Sequence, residues 1–148
     1  MQGSYNLNRF LRAQEYTFAN VLEEIKNGQK QSGWMLFIFP QIQGLGLSRE
    51  AQYYGLRDLE ETRQYLAHPI LGSRLAELTS ALMKIEGKSA FDIFGSPDDI
   101  KLKSSMTLFS VVDKDENSLF NQVLHKFFFG DKDRRTLQEL MKINKNMK

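Results

Sequence analysis

Apolar residues recur along most of the chain at intervals of three and four, the spacing of a helix that buries one face. The first such segment follows Asn6, a residue type that caps helices, and ends at Gly28. The pattern predicts one helix between these residues. Its apolar face consists of Phe10, Phe18, Val21 and Ile25.

The run from Trp34 to Phe39 is apolar at every position and stops at Pro40. Periodicity alone does not distinguish a buried strand from a buried helix in so short a run. No partner strand is evident elsewhere in the sequence, so the pattern favours a helix.

Later helices are predicted where capping residues precede amphipathic stretches. Ser48 opens a short helix, and Asp58 followed by Glu61 is the pattern of a capping box. Residues 96–99 combine the capping residue Ser96, a proline and two carboxylates that suit the positive end of a helix. Further helices are expected over residues 71–86, 97–112 and 118–129, and from residue 134 onward.

These segments predict an all-α fold, a single multihelical globular domain of about seven or eight helices. A chain of 148 residues is an ordinary length for one domain. We assign the whole of residues 1–148 to that domain. The ordered core is expected at about 6–140 and a basic tail at about 142–148.

Composition restricts the classes of function. The chain contains no cysteine, which fits a reducing compartment. No apolar stretch approaches the roughly 20 residues of a membrane span, and the first ten residues lack the apolar centre of a signal peptide. Basic residues number 20 and acidic residues 18, with both signs interspersed, which disfavours a nucleic-acid partner. We therefore predict a cytoplasmic protein that does not enter membranes.

Several polar residues fall on helix faces that are otherwise apolar. Gln14 lies within the first apolar stripe, and His68 and Arg74 flank the stripe of residues 71–85. On the helix after Pro97, Asp98, Lys101 and Ser105 share the apolar side, whereas Lys103 and Thr107 are expected to face away. Buried polar groups require partners, so these residues either pair with one another and fix how helices dock, or they line a ligand pocket.

The ligand-pocket interpretation gives each residue a role. Asp98, His68 and Lys101 would be catalytic, with Asp98 or His68 handling protons and Lys101 holding an anion together with Arg74. The ligand-binding set would be Gln14, Trp34, Gln41, Arg74 and Ser105, with Trp34 stacking on a planar ring. The predicted ligand is a small anionic metabolite that contains a phosphate or a nucleotide.

Other interpretations remain open. The glycines of residues 44–48 and Arg49 could cradle a phosphate, or the segment could be a tight connector. On a helix, three consecutive side chains point in three different directions, so the rings of Phe127, Phe128 and Phe129 cannot all reach one core. An exposed ring among them would suit a protein-interaction module that catalyses no reaction. The two histidines lack metal-ligand spacing, so no metal site is predicted. The sequence identifies no cofactor or oligomeric state, and it does not decide whether the protein is an enzyme.

Several motifs resemble a family of small bacterial proteins that carries only a domain-of-unknown-function label, and some members are labelled calpastatin. They include Phe39-Pro-Gln-x-x-Gly-Leu-Gly-x-Ser48, Tyr65-Leu-x-His68-Pro and Asp98-x-x-Lys101-x-x-Ser-Met-Thr107. The resemblance spans about residues 6–140 and implies a multihelical fold with a helix for the Trp34 run. It implies no known activity. Two positions depart from the family pattern: Gly33 stands where a histidine is typical and Leu36 where a second tryptophan is frequent.

Overall fold

Two long helices form the centre of the computed structural model, which describes residues 5–146. The helix over Leu71–Met83 packs against three neighbours, and the helix over Asp98–Asp113 packs against four. In chain order the helices are α1 (Asn8–Glu15), α2 (Phe18–Lys26), α3 (Met35–Ile38), α4 (Arg49–Tyr54), α5 (Leu59–Ala67), α6 (Leu71–Met83), α7 (Ala90–Phe94), α8 (Asp98–Asp113), α9 (Leu119–Phe128) and α10 (Arg134–Asn146). The predicted all-α, single-domain fold is confirmed, with ten helices in the described residues.

Helix α8 is surrounded by α5, α7, α9 and α10, while α6 packs against α2, α5 and α9. Because neighbours cover α8 on most sides, residues 104–110 are all buried. The expectation that Thr107 faces away from the core is therefore wrong. Its Oγ1 atom accepts a hydrogen bond of 2.8 Å from the backbone N–H of Asp133, just before α10.

The first predicted helix is two helices, α1 and α2, separated at Tyr16 and Thr17. The Thr17 hydroxyl donates a 2.9 Å hydrogen bond to the carbonyl of Ala13. Such side-chain bonding to the preceding turn bends helices, while Tyr16 is left 90% exposed. Because the apolar spacing is regular on both sides of this break, periodicity predicts one continuous helix here.

The predicted caps hold at two positions. Ser48 accepts from the backbone of Ala51, and Asp58 accepts from the backbone of Glu61. At α8 the capping position belongs to Pro97, with no side-chain cap, so the prediction for Ser96 is wrong. Helix α7 was not predicted, although Ser89 and Asp92 form a complete capping box there.

The Trp34 run forms α3, a single helical turn, in agreement with the prediction of a helix. At the other end of the chain, α10 continues through Lys142 to Asn146, so the first part of the predicted basic tail is helical. Lys148 lies outside the described residues. Within residues 5–146, no helix has both the length and the apolar character needed to cross a bilayer.

Candidate functional site

Two adjoining cavities lie beside the N-terminal half of α8. The first, of about 310 Å³, is lined by the loop of residues 41–48 (the glycine-containing loop), by α8 and by the start of α10. The second, of about 210 Å³, is lined by the loop before α3, by α3, by α4 and by the start of α8. Leu36 and Lys101 line both cavities. We call the pair the Lys101 groove.

Lys101 has an incompletely neutralised charge. Its Nζ atom lies 3.5 Å from Oδ1 of Asp98, while Oδ2 of the same carboxylate lies 2.8 Å from Nζ of Lys30. One carboxylate therefore faces two ammonium groups, and the shorter contact is to Lys30. The Lys101 side chain is 33% exposed, against 10% for Lys30. Lys101 is thus the more accessible positive charge of the three-residue cluster.

The loop that carries Lys30 is held by the buried carboxylate of Glu24. This carboxylate accepts hydrogen bonds from the backbone of Gln31 at 2.7 Å, from the backbone and hydroxyl of Ser32, and from the Trp34 indole at 2.9 Å. Burial raises the pKa of Glu24, but these hydrogen bonds together outweigh burial and lower it to about 2. The ionised carboxylate thereby fixes the wall of the groove that contains Lys30 and Gly33.

The glycine-containing loop lines the first cavity. Gln41 and Gln43 pair through their backbones with Leu56, at 2.9 and 2.8 Å. A Cβ atom on Gly55 would lie 2.8 Å from the Cα of Gln43, so this close approach requires glycine. Ser48 lines the groove and is bound to the backbone of Ala51 as the cap of α4. The loop acts as a tight connector that also lines the groove.

The start of α10 closes the first cavity. Asp133 lines it, and its Oδ2 atom accepts from both the backbone and the hydroxyl of Thr136. Arg135 donates a 3.0 Å hydrogen bond to the carbonyl of Leu45, which joins α10 to the glycine-containing loop. The Asp133 carboxylate is therefore engaged at the start of its own helix, and among the described residues Lys101 forms its ion pair with Asp98 and not with Asp133.

Three of the eight sequence-predicted site residues meet at the groove: Gln41, Asp98 and Lys101. The other five do not, so the expectation of one shared cleft is not met. Gln14 is buried and bonded to Tyr65 and Arg74, at 3.0 and 3.3 Å. Burial raises the pKa of Tyr65, and its hydroxyl accepts the hydrogen bond from the amide of Gln14. Gln14 and Arg74 thus serve the structural alternative: they pair and fix how α1, α5 and α6 dock.

The remaining three residues, His68, Trp34 and Ser105, also lie outside the lining of the groove. His68 lies before α6, where its Nδ1 atom accepts from the backbones of Ile70 and Leu71 at 3.1 and 3.2 Å. The indole of Trp34 is 1% exposed and bonded to Glu24, so it presents no face for a planar ligand. Ser105 is fully buried within α8, and its hydroxyl has no hydrogen-bond partner among the described residues.

Sequence reasoning missed several groove residues. Ser104 lies one turn after Lys101 and lines the first cavity, and helical spacing could have identified it. Lys30 and Glu50 come from other segments, and only the tertiary fold brings them to Asp98 and Lys101. Among the described residues no group of three or more His, Cys, Asp or Glu side chains could hold a metal ion.

A larger cavity of about 820 Å³ lies at the ends of α2 and α6. Lys26, Asn27 and Lys84 line it where these helices terminate. The carboxylates of Glu77 and Glu86 also line it, and the C-terminal end of a helix carries a partial negative charge, both of which disfavour an anion. The smaller groove at Lys101 is therefore the better candidate for the predicted class of ligand.

Comparison of the sequence with known protein families identifies the family of this chain. A family model described as "Protein of unknown function (DUF1810)" matches residues 4–140. The chain belongs to this family. The resemblance seen in the motifs is thereby confirmed. No curated protein matches the chain.

One solved structure is similar over nearly the whole fold. It is the crystal structure of the conserved hypothetical protein Rv1873 from Mycobacterium tuberculosis, which is 45% identical in sequence. The match covers 91% of this chain and 96% of that one, with a TM-score of 0.88. Neither description names an activity.

Proposed function

We propose that this DUF1810 protein binds a small anionic metabolite in the Lys101 groove, with its phosphate or carboxylate group at the Lys101 ammonium. The observation that carries the proposal is the shared position of Lys101 on both cavities, beside a carboxylate already paired with Lys30. An ammonium group offers three donors, and Asp98 engages at most one of them, at 3.5 Å. An anion entering either cavity would complete this charge cluster.

The groove supports binding more directly than it supports a particular reaction. Gln41 lines the groove and offers an amide that can orient a ligand by hydrogen bonding. The Ser104 hydroxyl donates to the carbonyl of Ile100 at 3.2 Å, so its proton is already engaged. Asp98 is the candidate proton acceptor of the groove, but both of its carboxylate oxygens face lysines. We accordingly propose a binding protein and assign no reaction. We place it in the cytoplasm because the chain lacks cysteine.

A protein-interaction function is supported less. Phe127 and Phe128 pack against the hydrophobic core, and Phe129 is 95% exposed. A single exposed ring is ordinary on a protein surface, whereas interaction sites expose contiguous apolar patches.

A thermal-shift panel tests the binding proposal. The panel contains orthophosphate, AMP and ribose 5-phosphate, with adenosine and ribose as uncharged analogues. We expect an anionic member to raise the melting temperature while its neutral analogue does not, because a ligand at a hundredfold its dissociation constant adds about 2.7 kcal/mol of stability. Equal shifts from charged and neutral members, or no shift at all, would contradict the proposal.

A further inference from the structure

A separate cavity of about 350 Å³ opens between the start of α1 and the segment after α4. Three arginines line it, and the described residues of its lining include no carboxylate. We call it the arginine cleft. Its lining includes Arg9, Arg12, Arg57, Gln43, Gln52 and Tyr53.

Arg9 forms a fixed wall of the cleft. Its guanidinium donates to the carbonyls of Tyr53 at 2.8 Å and Gly55 at 3.0 Å, and to the carboxylate of Glu61 at 3.0 Å. Glu61 is fully buried and also accepts from the backbone of Arg57 at 2.8 Å. Most of the hydrogen-bonding capacity of Arg9 is therefore used to join α1, α4 and α5, and its charge is balanced by Glu61.

Arg12 and Arg57 supply charge that is not balanced in this way. The side chain of Arg57 is 57% exposed, and its Nε atom is 3.9 Å from the Glu61 carboxylate that already binds Arg9. Its guanidinium lies 4.6 Å from the centre of the Tyr5 ring. Arg12 is exposed in the last turn of α1. The neighbouring carboxylate of Asp58 is engaged by the hydroxyl of Tyr5.

The lining suits a phosphate group. Guanidinium groups bind the oxygens of carboxylates and phosphates in pairs, and a phosphate carries enough terminal oxygens to meet two guanidinium groups at once. The amide of Gln43 is held by the carbonyl of Gln52, which orders that rim of the cleft. The volume suits a small molecule rather than a nucleic-acid strand, which needs an extended basic surface. We propose that the arginine cleft is a second binding site, for a small molecule carrying a phosphate group.

Calorimetric titration of the full chain with inorganic pyrophosphate tests this site. Arg12→Gln and Arg57→Gln are each expected to weaken binding by about tenfold, the effect of losing one charged hydrogen-bonding partner. Arg63→Gln is the matched control, because Arg63 is an exposed arginine on α5 that pairs with Glu60 outside the cleft. Pyrophosphate that also enters the Lys101 groove adds a second binding event, which Lys101→Gln should remove. The event that Arg12→Gln and Arg57→Gln weaken should persist in Lys101→Gln, which separates this proposal from the one for the groove.

Three results would overturn the second site. These are a failure of wild-type protein to bind pyrophosphate, binding by the two cleft variants as tight as that of wild type, and loss of all binding in Lys101→Gln. A fourth would replace the ligand class: a single-stranded oligonucleotide that binds more tightly than pyrophosphate through Arg12 and Arg57 would make the cleft part of a nucleic-acid surface.

Discussion

The ammonium of Lys101 lies 3.5 Å from the carboxylate of Asp98, one helical turn earlier on α8. Lys30 holds the same carboxylate at the shorter distance of 2.8 Å. Because the first turn of a helix favours negative charge, Asp98 is stabilised there without Lys101. The arrangement leaves Lys101 directed into a groove with its positive charge only partly compensated.

Replacing Gln14 with leucine is expected to destabilise the fold by about 2 kcal/mol. The amide donates to the carbonyl of Phe37 at 2.8 Å and to the hydroxyl of Tyr65 at 3.0 Å. Leucine would leave both groups buried without that donor. Chemical denaturation of the single variants and of the double variant with Tyr65→Phe measures the coupling. Strictly additive changes in the free energy of unfolding would contradict a shared network.

Acid should destabilise the protein through Glu24. Its pKa is about 2 in the folded protein, below its value of about 4.5 in an unfolded chain. A lowered folded pKa gives stability that is complete above the unfolded pKa and is lost as the pH falls from about 4.5 toward 2. We expect Glu24→Gln to be less stable at pH 7 and to lose less stability over that interval. Parallel pH profiles for wild type and Glu24→Gln would show that Glu24 is not the group responsible.

Ser105→Ala is expected to leave stability unchanged or to raise it by up to about 1 kcal/mol, because it removes a buried hydroxyl that lacks a partner. Ser110→Ala on the same helix is the control. The Ser110 hydroxyl donates to the carbonyl of Thr107 at 2.7 Å and accepts from Lys132 at 2.8 Å, so its removal should destabilise by about 1 kcal/mol. If Ser105→Ala is the more destabilising of the two, the hydroxyl of Ser105 has a partner that this account omits.

Gly33→His should be tolerated and should make ligand binding depend on pH. Gly33 lines the second cavity, and a Cβ atom built there meets nothing within 4 Å. An imidazole at this position would be protonated below about pH 6.5 and would add positive charge to the groove. Anion affinity of the variant should therefore rise as the pH falls through that value, in excess of any rise in wild type. Identical pH profiles would place residue 33 away from the ligand.

The sequence predicted most helices because their signals are local. The caps at Ser48 and Asp58 and the apolar stripe of α6 each depend on residues within one or two turns. The break at Thr17 was missed because the apolar spacing continues across it. The burial of Thr107 was missed because it depends on α10, which packs against α8 from 26 residues away along the chain.

The candidate site could be predicted only in part for the same reason. Helical geometry placed Asp98 and Lys101 on one side of α8, and the structure brings Gln41 to the same groove. Gln14 and Arg74 were correctly expected to need partners, but each is the partner of the other. Whether a buried polar residue meets a protein group or a ligand depends on contacts between distant segments, which spacing along one helix does not encode.

The most direct test of the central claim is calorimetric titration of Lys101→Gln with the anion that gives the largest thermal shift in the panel. Lys103→Gln is the matched control, since Lys103 lies on α8 and its ammonium is 6.0 Å from the centre of the Phe128 ring. We predict that Lys101→Gln weakens binding by about tenfold while Lys103→Gln binds as wild type does. Equal affinity in wild type and Lys101→Gln would contradict the assignment of the groove.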